Sequence, residues 1–220
     1  MALDFQCEFC QAHRRPENKP PVSLNYETRL WHCVGIDNAE LELGDTTVVF
    51  SLYEDEACGL VVPKVLFVRG RDDFRNPSAQ EVTDAFAEAW ISHYPKPVRV
   101  KTDPEGAFQS GEFRDDLTLN GIYIEPTAGE AHVQHGRIER SIQTVKRIAE
   151  KLVHEFPEAT GIQILSAAAG AHNELRRIKG YSPNQMAFGR CKPQWEDLTL
   201  QPSESFDCIM DLRIAAQTHF

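Results

Sequence analysis

Three runs of β-branched and aromatic residues come before any helical period, and that order constrains the fold more than any other feature of the chain. Trp31–Leu43 alternates around Val34, Ile36 and Leu41. Thr46–Tyr53 and Leu60–Val68 have the composition strands prefer, and Pro63 inside the third run points to a bulge or a sheet edge. Helix and strand signals then alternate. Asn76–Glu81 opens a helix, with Ser78 and Glu81 spaced as a capping box and an apolar stripe at Val82, Ala85, Phe86, Ala89 and Trp90. It should end near Tyr94, before Pro95. A strand is predicted over Pro97–Thr102, a short helix over Gly111–Leu119 and a strand over Ile122–Glu125. Ile138, Ile142, Val145, Ala149, Leu152 and Phe156 recur at spacings of three and four, which predicts a long helix with one buried face. A last helix, about Gly161–Ile178, is expected to pack through Ile162, Leu165, Ala169 and Ile178. The order βββαβαβαα predicts an α/β domain: a five-stranded mixed sheet flanked by helices.

With 220 residues, 41% of them apolar and 25% charged, the chain fits one medium globular domain with short appendages. No apolar run approaches the roughly 20 residues that span a bilayer, so no membrane partner is expected. The N-terminus lacks the basic and apolar regions of a signal peptide. Six cysteines show no disulfide framework, which predicts a reducing, intracellular setting. The net charge of −10 is unevenly spread. Gly35–Leu60 carries seven acids and no Lys or Arg, whereas Arg137–Lys151 carries five basic residues against Glu139 and Glu150.

Two carboxylates draw the eye. Asp103 ends an apolar strand and opens a loop containing Gly106 and Phe108; Glu139 follows with 35 residues between them, in the first turns of the long helix. Asp37 closes the run Trp31-His32-Cys33-Val34-Gly35-Ile36, where a central strand does not otherwise accept a charge. Acids from two strands and a helix can converge on a pair of divalent cations, which activate an attacking oxygen and stabilise a leaving one on a phosphodiester. Rivals stand close by. Glu40, Glu42 and Asp45 follow Asp37, and Glu105 follows Asp103.

The strand ending at Asp103, Gly136-Arg137-Ile138-Glu139-Arg140, and Tyr181–Gly189 (Tyr-Ser-Pro-Asn-Gln-Met-Ala-Phe-Gly) together resemble the catalytic core of retroviral and long-terminal-repeat retrotransposon integrases. These are the Asp, Asp-x35-Glu polynucleotidyl transferases, and the likeness spans roughly residues 30–190. It implies the ribonuclease H-like fold, with a core over 25–190 and an acidic tail, docked or flexible, over 191–220. It implies 3′-end processing and strand transfer of DNA. Asp37, Asp103 and Glu139 would then be catalytic and would hold two Mg²⁺ or Mn²⁺ ions. His135, Gln143, Lys146 and Arg147 are implied as DNA contacts, the two partners being the element's DNA ends and a target DNA. Strand alternation is expected to turn Lys101 away from the acids. The resemblance further implies a homo-oligomer, at least a dimer, acting in the nucleus. Residues 1–24 read as a linker preceded by Cys7-Glu8-Phe9-Cys10, the second half of a His-His-Cys-Cys zinc finger in this family. Two ligands do not complete a tetrahedral site, so Cys7 and Cys10 read as the end of a longer polyprotein's finger or as a remnant.

The chain departs from the family pattern in three places. His135 stands where many relatives have Asn, the loop after Asp103 reads Pro-Glu-Gly-Ala-Phe, and nothing after residue 190 resembles the small basic barrel that usually follows. Two other readings therefore stand beside integration. One is a catalytically silent, domesticated core acting as an interaction module; the other is a ribonuclease H-like nuclease without joining activity. Trp31, Trp90, Cys33 and Cys58 read as core, His172 as a satisfied buried histidine, and Asn173 as a side chain that caps or bridges backbone.

Overall fold

The structure, a computed structural model, describes residues 27–103, 106–125, 132–189 and 204–220, with side chains at 132–135 and 204–210 outside that description. Three antiparallel strands come first: β1 (Cys33–Leu43), β2 (Thr46–Asp55) and β3 (Val61–Gly70). β4 (Arg99–Thr102) then joins β1 in parallel, and β5 (Tyr123–Glu125) joins β4 in parallel, giving the order β3-β2-β1-β4-β5. Pro63 lies on the edge strand, as a residue without a backbone donor should. The register of β3 slips between Phe67 and Val65, the partners of Val49 and Phe50, so Leu66 bulges.

Helices cover both faces. On one side lie α1 (Ala79–Phe86), a π-helical turn Ala87–Ile91 that carries it to Trp90, and α2 (Gly111–Leu119). Ser78 starts α1 by accepting from the Glu81 N–H while the Glu81 carboxylate accepts from the Ser78 N–H, the reciprocal cap read from the sequence. Val34, Ile36, Tyr53 and Val100 meet Phe86, Trp90, Phe113 and Leu117 there. On the other side lie α3 (His132–Glu155) and α4 (Gly161–Leu175), followed by the short α5 (Pro183–Phe188). Leu41, Val48, Phe50 and Leu52 point to that side, against Ile138, Ile142, Val145, Ile148 and Leu152 of α3. The period-two alternation of β1 thus assigns its faces: even positions 34 and 36 to α1 and α2, odd positions from 35 onward to α3.

Three expectations change. Residues 204–219 of the expected docked or flexible tail form a regular helix, α6, whose Leu212, Ala215 and Ala216 pack into the α3–α4 core. Ile162 is 64% exposed, because Gly161 already presses α4 against β2: a Cβ there would lie 2.7 Å from Val48 Cγ2, which turns the next side chain outward. Ile178 lies beyond α4. The chain leaves the helix at Arg176, and Ile178 pairs with Tyr181 across a turn. Asn173 does bridge backbone: its side-chain amide donates to the Val61 carbonyl and accepts from the Val61 N–H, both at 2.8 Å, satisfying the outer edge of β3. No helix among the described residues is long and apolar enough to cross a membrane.

Candidate active site

The three acids singled out by sequence lie within electrostatic reach of one another on the α3 side of the sheet. Asp37 follows Gly35 by two residues and so shares its face. Gly35 lies directly under α3, with Ile138 Cδ1 3.5 Å from where a Cβ would stand, so a methyl would just fit and a longer side chain would press on the helix. In the parallel pairing Ile36 stands opposite Thr102, so the next residues along, Asp37 and Asp103, stand side by side where the β1–β4 pairing ends. Val100 belongs to the opposite face, which puts Lys101 and Asp103 on the α3 side. Glu139 adjoins Ile138, the side chain seated on Gly35, and is exposed.

Electrostatics record the convergence. The Asp37 carboxyl is pushed up from 3.8 to about 6, first by burial and then, against a 2.8 Å hydrogen bond donated by the Asn38 N–H, by repulsion from Asp103 and Glu139. Its rivals are placed elsewhere. Glu40 is exposed and bonded to Arg69 at 2.7 Å, Glu42 and Asp45 are exposed, and Glu105 lies outside the described residues. Among the described residues no three His, Cys, Asp or Glu side chains are already drawn together closely enough to hold a metal. The donor set still suits a hard divalent cation, being carboxylate throughout, with one half-buried member destabilised in its charged form by its two neighbours.

Of the sequence-predicted DNA contacts, Gln143 is exposed and Lys146 half-buried, one and two turns along α3 from Glu139. Arg147 turns toward α6 and donates to the Phe220 carbonyl at 3.4 Å. The His135 side chain, Cys7 and Cys10 lie outside the described residues. Lys101 is a correction to the sequence expectation: it shares the face of Asp103 and is tied to Glu56 at 2.7 Å. Cys33 and Cys58 are fully buried; burial pushes the Cys33 thiol up to about 12 and the Cys58 thiol up as well, as core cysteines require. His172 is likewise buried, and desolvation, then Arg176, hold it down at about 4, hence neutral.

A layer of buried charge beneath the acids was missed. Glu54 Oε1 accepts from Arg137 Nε at 3.0 Å and from Arg176 Nη1 at 3.3 Å, and Arg176 also reaches Ser141 Oγ at 2.9 Å. The signal was the string Glu54-Asp55-Glu56 at the end of a strand buried on both faces, where charge demands a partner.

No protein-family model matches the sequence, and no curated protein matches it. Solved structures do. The HTLV-2 integrase catalytic core domain, in a complex with magnesium, superposes with a TM-score of 0.58 at 20% identity, over 72% of this chain and 96% of that one. The simian T-cell lymphotropic virus intasome, solved with a PP2A regulatory subunit, matches with a TM-score of 0.67 at 19% identity, over 90% of this chain and 69% of that one. The catalytic core domain of BIV integrase gives 0.56 at 19% identity, over 72% and 95%. The chain therefore has the ribonuclease H-like fold in the form taken by retroviral integrase catalytic cores.

Proposed function

We propose that the chain is the core of a retroelement integrase, a Mg²⁺- or Mn²⁺-dependent polynucleotidyl transferase that trims a 3′ DNA end and joins it to target DNA. The observation that carries this reading is the placement of Asp37 and Asp103 side by side on the face of the sheet that α3 covers, with Glu139 near enough to add to the repulsion that, after burial, raises the Asp37 carboxyl. Asp37 and Asp103 would hold one ion, and Asp37 with Glu139 the other. Bound ions of this kind lower the pKa of a coordinated water or 3′-hydroxyl and neutralise charge on the phosphodiester.

What the chain itself does follows from its geometry. Gly35 lets α3 lie against β1 through Ile138, the residue next to Glu139. Asp37, half-buried and accepting from its neighbour's N–H, has a restricted orientation, and Asp103 and Glu139 would close on the ion beside it. Lys146 and Gln143 extend along α3 from the acids and would bind the phosphates and base edges of a DNA end, with His135 and Arg147 as further contacts. Lys146 has no carboxylate partner among the described residues, so it is available to neutralise a phosphate. The nuclear setting and a homo-oligomer belong to this proposal. The HTLV-2 core, solved in dimeric and trimeric forms, supports the second.

A second reading is the folded but silent module. The net charge of −10 favours it, because phosphate neutralisation supplies most non-specific DNA affinity. One experiment separates the readings. Purified protein is incubated with Mg²⁺ or Mn²⁺ and a branched DNA that mimics the joined product, beside Glu139→Gln. Resolution of the branch that disappears in Glu139→Gln supports the transferase. Nicking without rejoining supports the nuclease. No reaction at any metal concentration, from folded protein, refutes both in favour of the silent module.

A further inference from the structure

We infer that Glu54, Asp55 and Glu56, three consecutive acids at the end of β2, are positioning residues that anchor the three elements carrying Asp37, Asp103 and Glu139. The inference rests on the metal-binding reading of those acids. All three anchor residues are buried, at 1%, 0% and 5% exposure. Each ties down a different element. Glu54 accepts from Arg137, two residues before Glu139 on α3, and from Arg176 beyond α4. Glu56 accepts from Lys101 Nζ at 2.7 Å, two residues before Asp103 on β4. Asp55 Oδ2 accepts from the Trp31 N–H at 2.7 Å, in the turn that leads into β1 and Asp37; Trp31 itself sits at φ +63°, a conformation that this bond holds. The other Asp55 oxygen accepts from the Ala57 and Cys58 N–H groups, which fixes the anchor's own turn.

The register explains how these ties act together. Gly35 is paired with Glu54 on one side and with Lys101 on the other. Ile138 is seated on that glycine. The contact of α3 with the sheet is thus flanked by the Glu54–Arg137 pair and the Glu56–Lys101 pair. Replacing a buried ion pair with apolar residues is often neutral or stabilising, so such pairs are a poor means of adding stability. They are directional, however. Each fixes the height and rotation of an element within a residue or two of a carboxylate, which packing alone constrains less tightly.

The test uses the full chain and Mn²⁺ as the probe, with binding read by the loss of the free-ion paramagnetic resonance signal. Wild type is compared with Asp37→Asn, Glu54→Gln, Glu56→Gln and the double variant Lys101→Met/Glu56→Gln. Unfolding is followed separately in chelator. The double variant removes both charges and leaves no buried ion unpaired, which keeps the affinity measurable should a single variant unfold. Expected is a loss of Mn²⁺ affinity of roughly 10-fold or more in the anchor variants, the scale of outer-shell changes at metal sites, in protein that remains folded. An anchor that served stability alone would lower the unfolding midpoint and leave the affinity of the folded protein unchanged; that result overturns the inference. If Asp37→Asn binds Mn²⁺ as well as wild type does, the metal reading itself has failed, and the anchor falls with it. If Asp37→Asn loses binding while the anchor variants keep it, only the anchor falls.

Discussion

Removing the charge of Asp37 should make the metal-free protein more stable, and by an amount the site's electrostatics set. The carboxyl is ordinarily half-ionised at 3.8 and in the fold at about 6. Two pKa units at about 1.4 kcal/mol each give about 3 kcal/mol, and solvent reaching the half-exposed group reduces that to about 2–3 kcal/mol. The sign follows from proton binding. Between pH 3.8 and about 6 the folded chain holds a proton that the unfolded chain has lost, so stability falls as pH rises through that window, and the full cost applies above it. The amide of an Asp37→Asn variant would keep an oxygen for the Asn38 N–H and carry no charge. This variant should therefore match wild type near pH 4 and exceed it by about 2–3 kcal/mol near pH 7.5. For a domain of this size that is a rise in unfolding midpoint of about 4–12 °C. Urea unfolding in chelator at the two pH values is the assay. Mg²⁺ at about 100 times its dissociation constant should then close the gap, since it adds about 2.7 kcal/mol to wild type and nothing to a variant that cannot bind it. A gain of equal size at both pH values, or a loss near neutrality, would refute the argument that burial beside Asp103 and Glu139 strains this carboxylate.

His172 titrates in the opposite sense. Held at about 4 instead of 6.5, it withholds a proton that the unfolded chain takes up, so the stability it contributes above pH 6.5 is lost as pH falls toward 4; the unfolding free energy of Asp37→Asn, freed of the opposing term, should drop over that range by about 3 kcal/mol. Asn173→Ala strands the Val61 N–H and carbonyl and should cost about 1–3 kcal/mol for each, with amide exchange of β3 accelerated before that of β1. Gly161→Ala forces a methyl against Val48 and should cost about 1–3 kcal/mol; added to Val48→Ala it should cost less than the sum of the two, as a thermal-unfolding double-mutant cycle would measure.

Much of this was legible from alternation. Ile36 and Val34 look to one core and Leu41 to the other, so the odd position of Asp37 already assigns it to the face that a helix with an apolar stripe must cover. Ser78 and Glu81 mark a helix start because their reciprocal bonds depend only on local spacing. Long-range charge pairing was not legible. The string Gly35–Leu60 carries seven acids and no Lys or Arg, yet Glu54 finds Arg137 and Arg176, 83 and 122 residues away, and its burial depends on them. Lys101 was misjudged: alternation was expected to turn it away from the acids, whereas its two-residue spacing from Asp103 places both on one face, where Glu56 pairs with it. The helix over residues 204–219 was hidden by acidic composition, although Leu212, Ala215 and Ala216 keep the three-and-four spacing of a buried edge.

The central claim is that Asp37, Asp103 and Glu139 grip the same divalent ions. Crystals grown with Mn²⁺ and measured at its absorption edge test this directly. Anomalous density is expected within about 2.1 Å of carboxylate oxygens, the usual reach of a hard divalent ion, with Asp37 shared between the strand acid and the helix acid. A manganese peak held by other residues, or a well-ordered site in which one of the three carboxylates turns away from the metal, would contradict it.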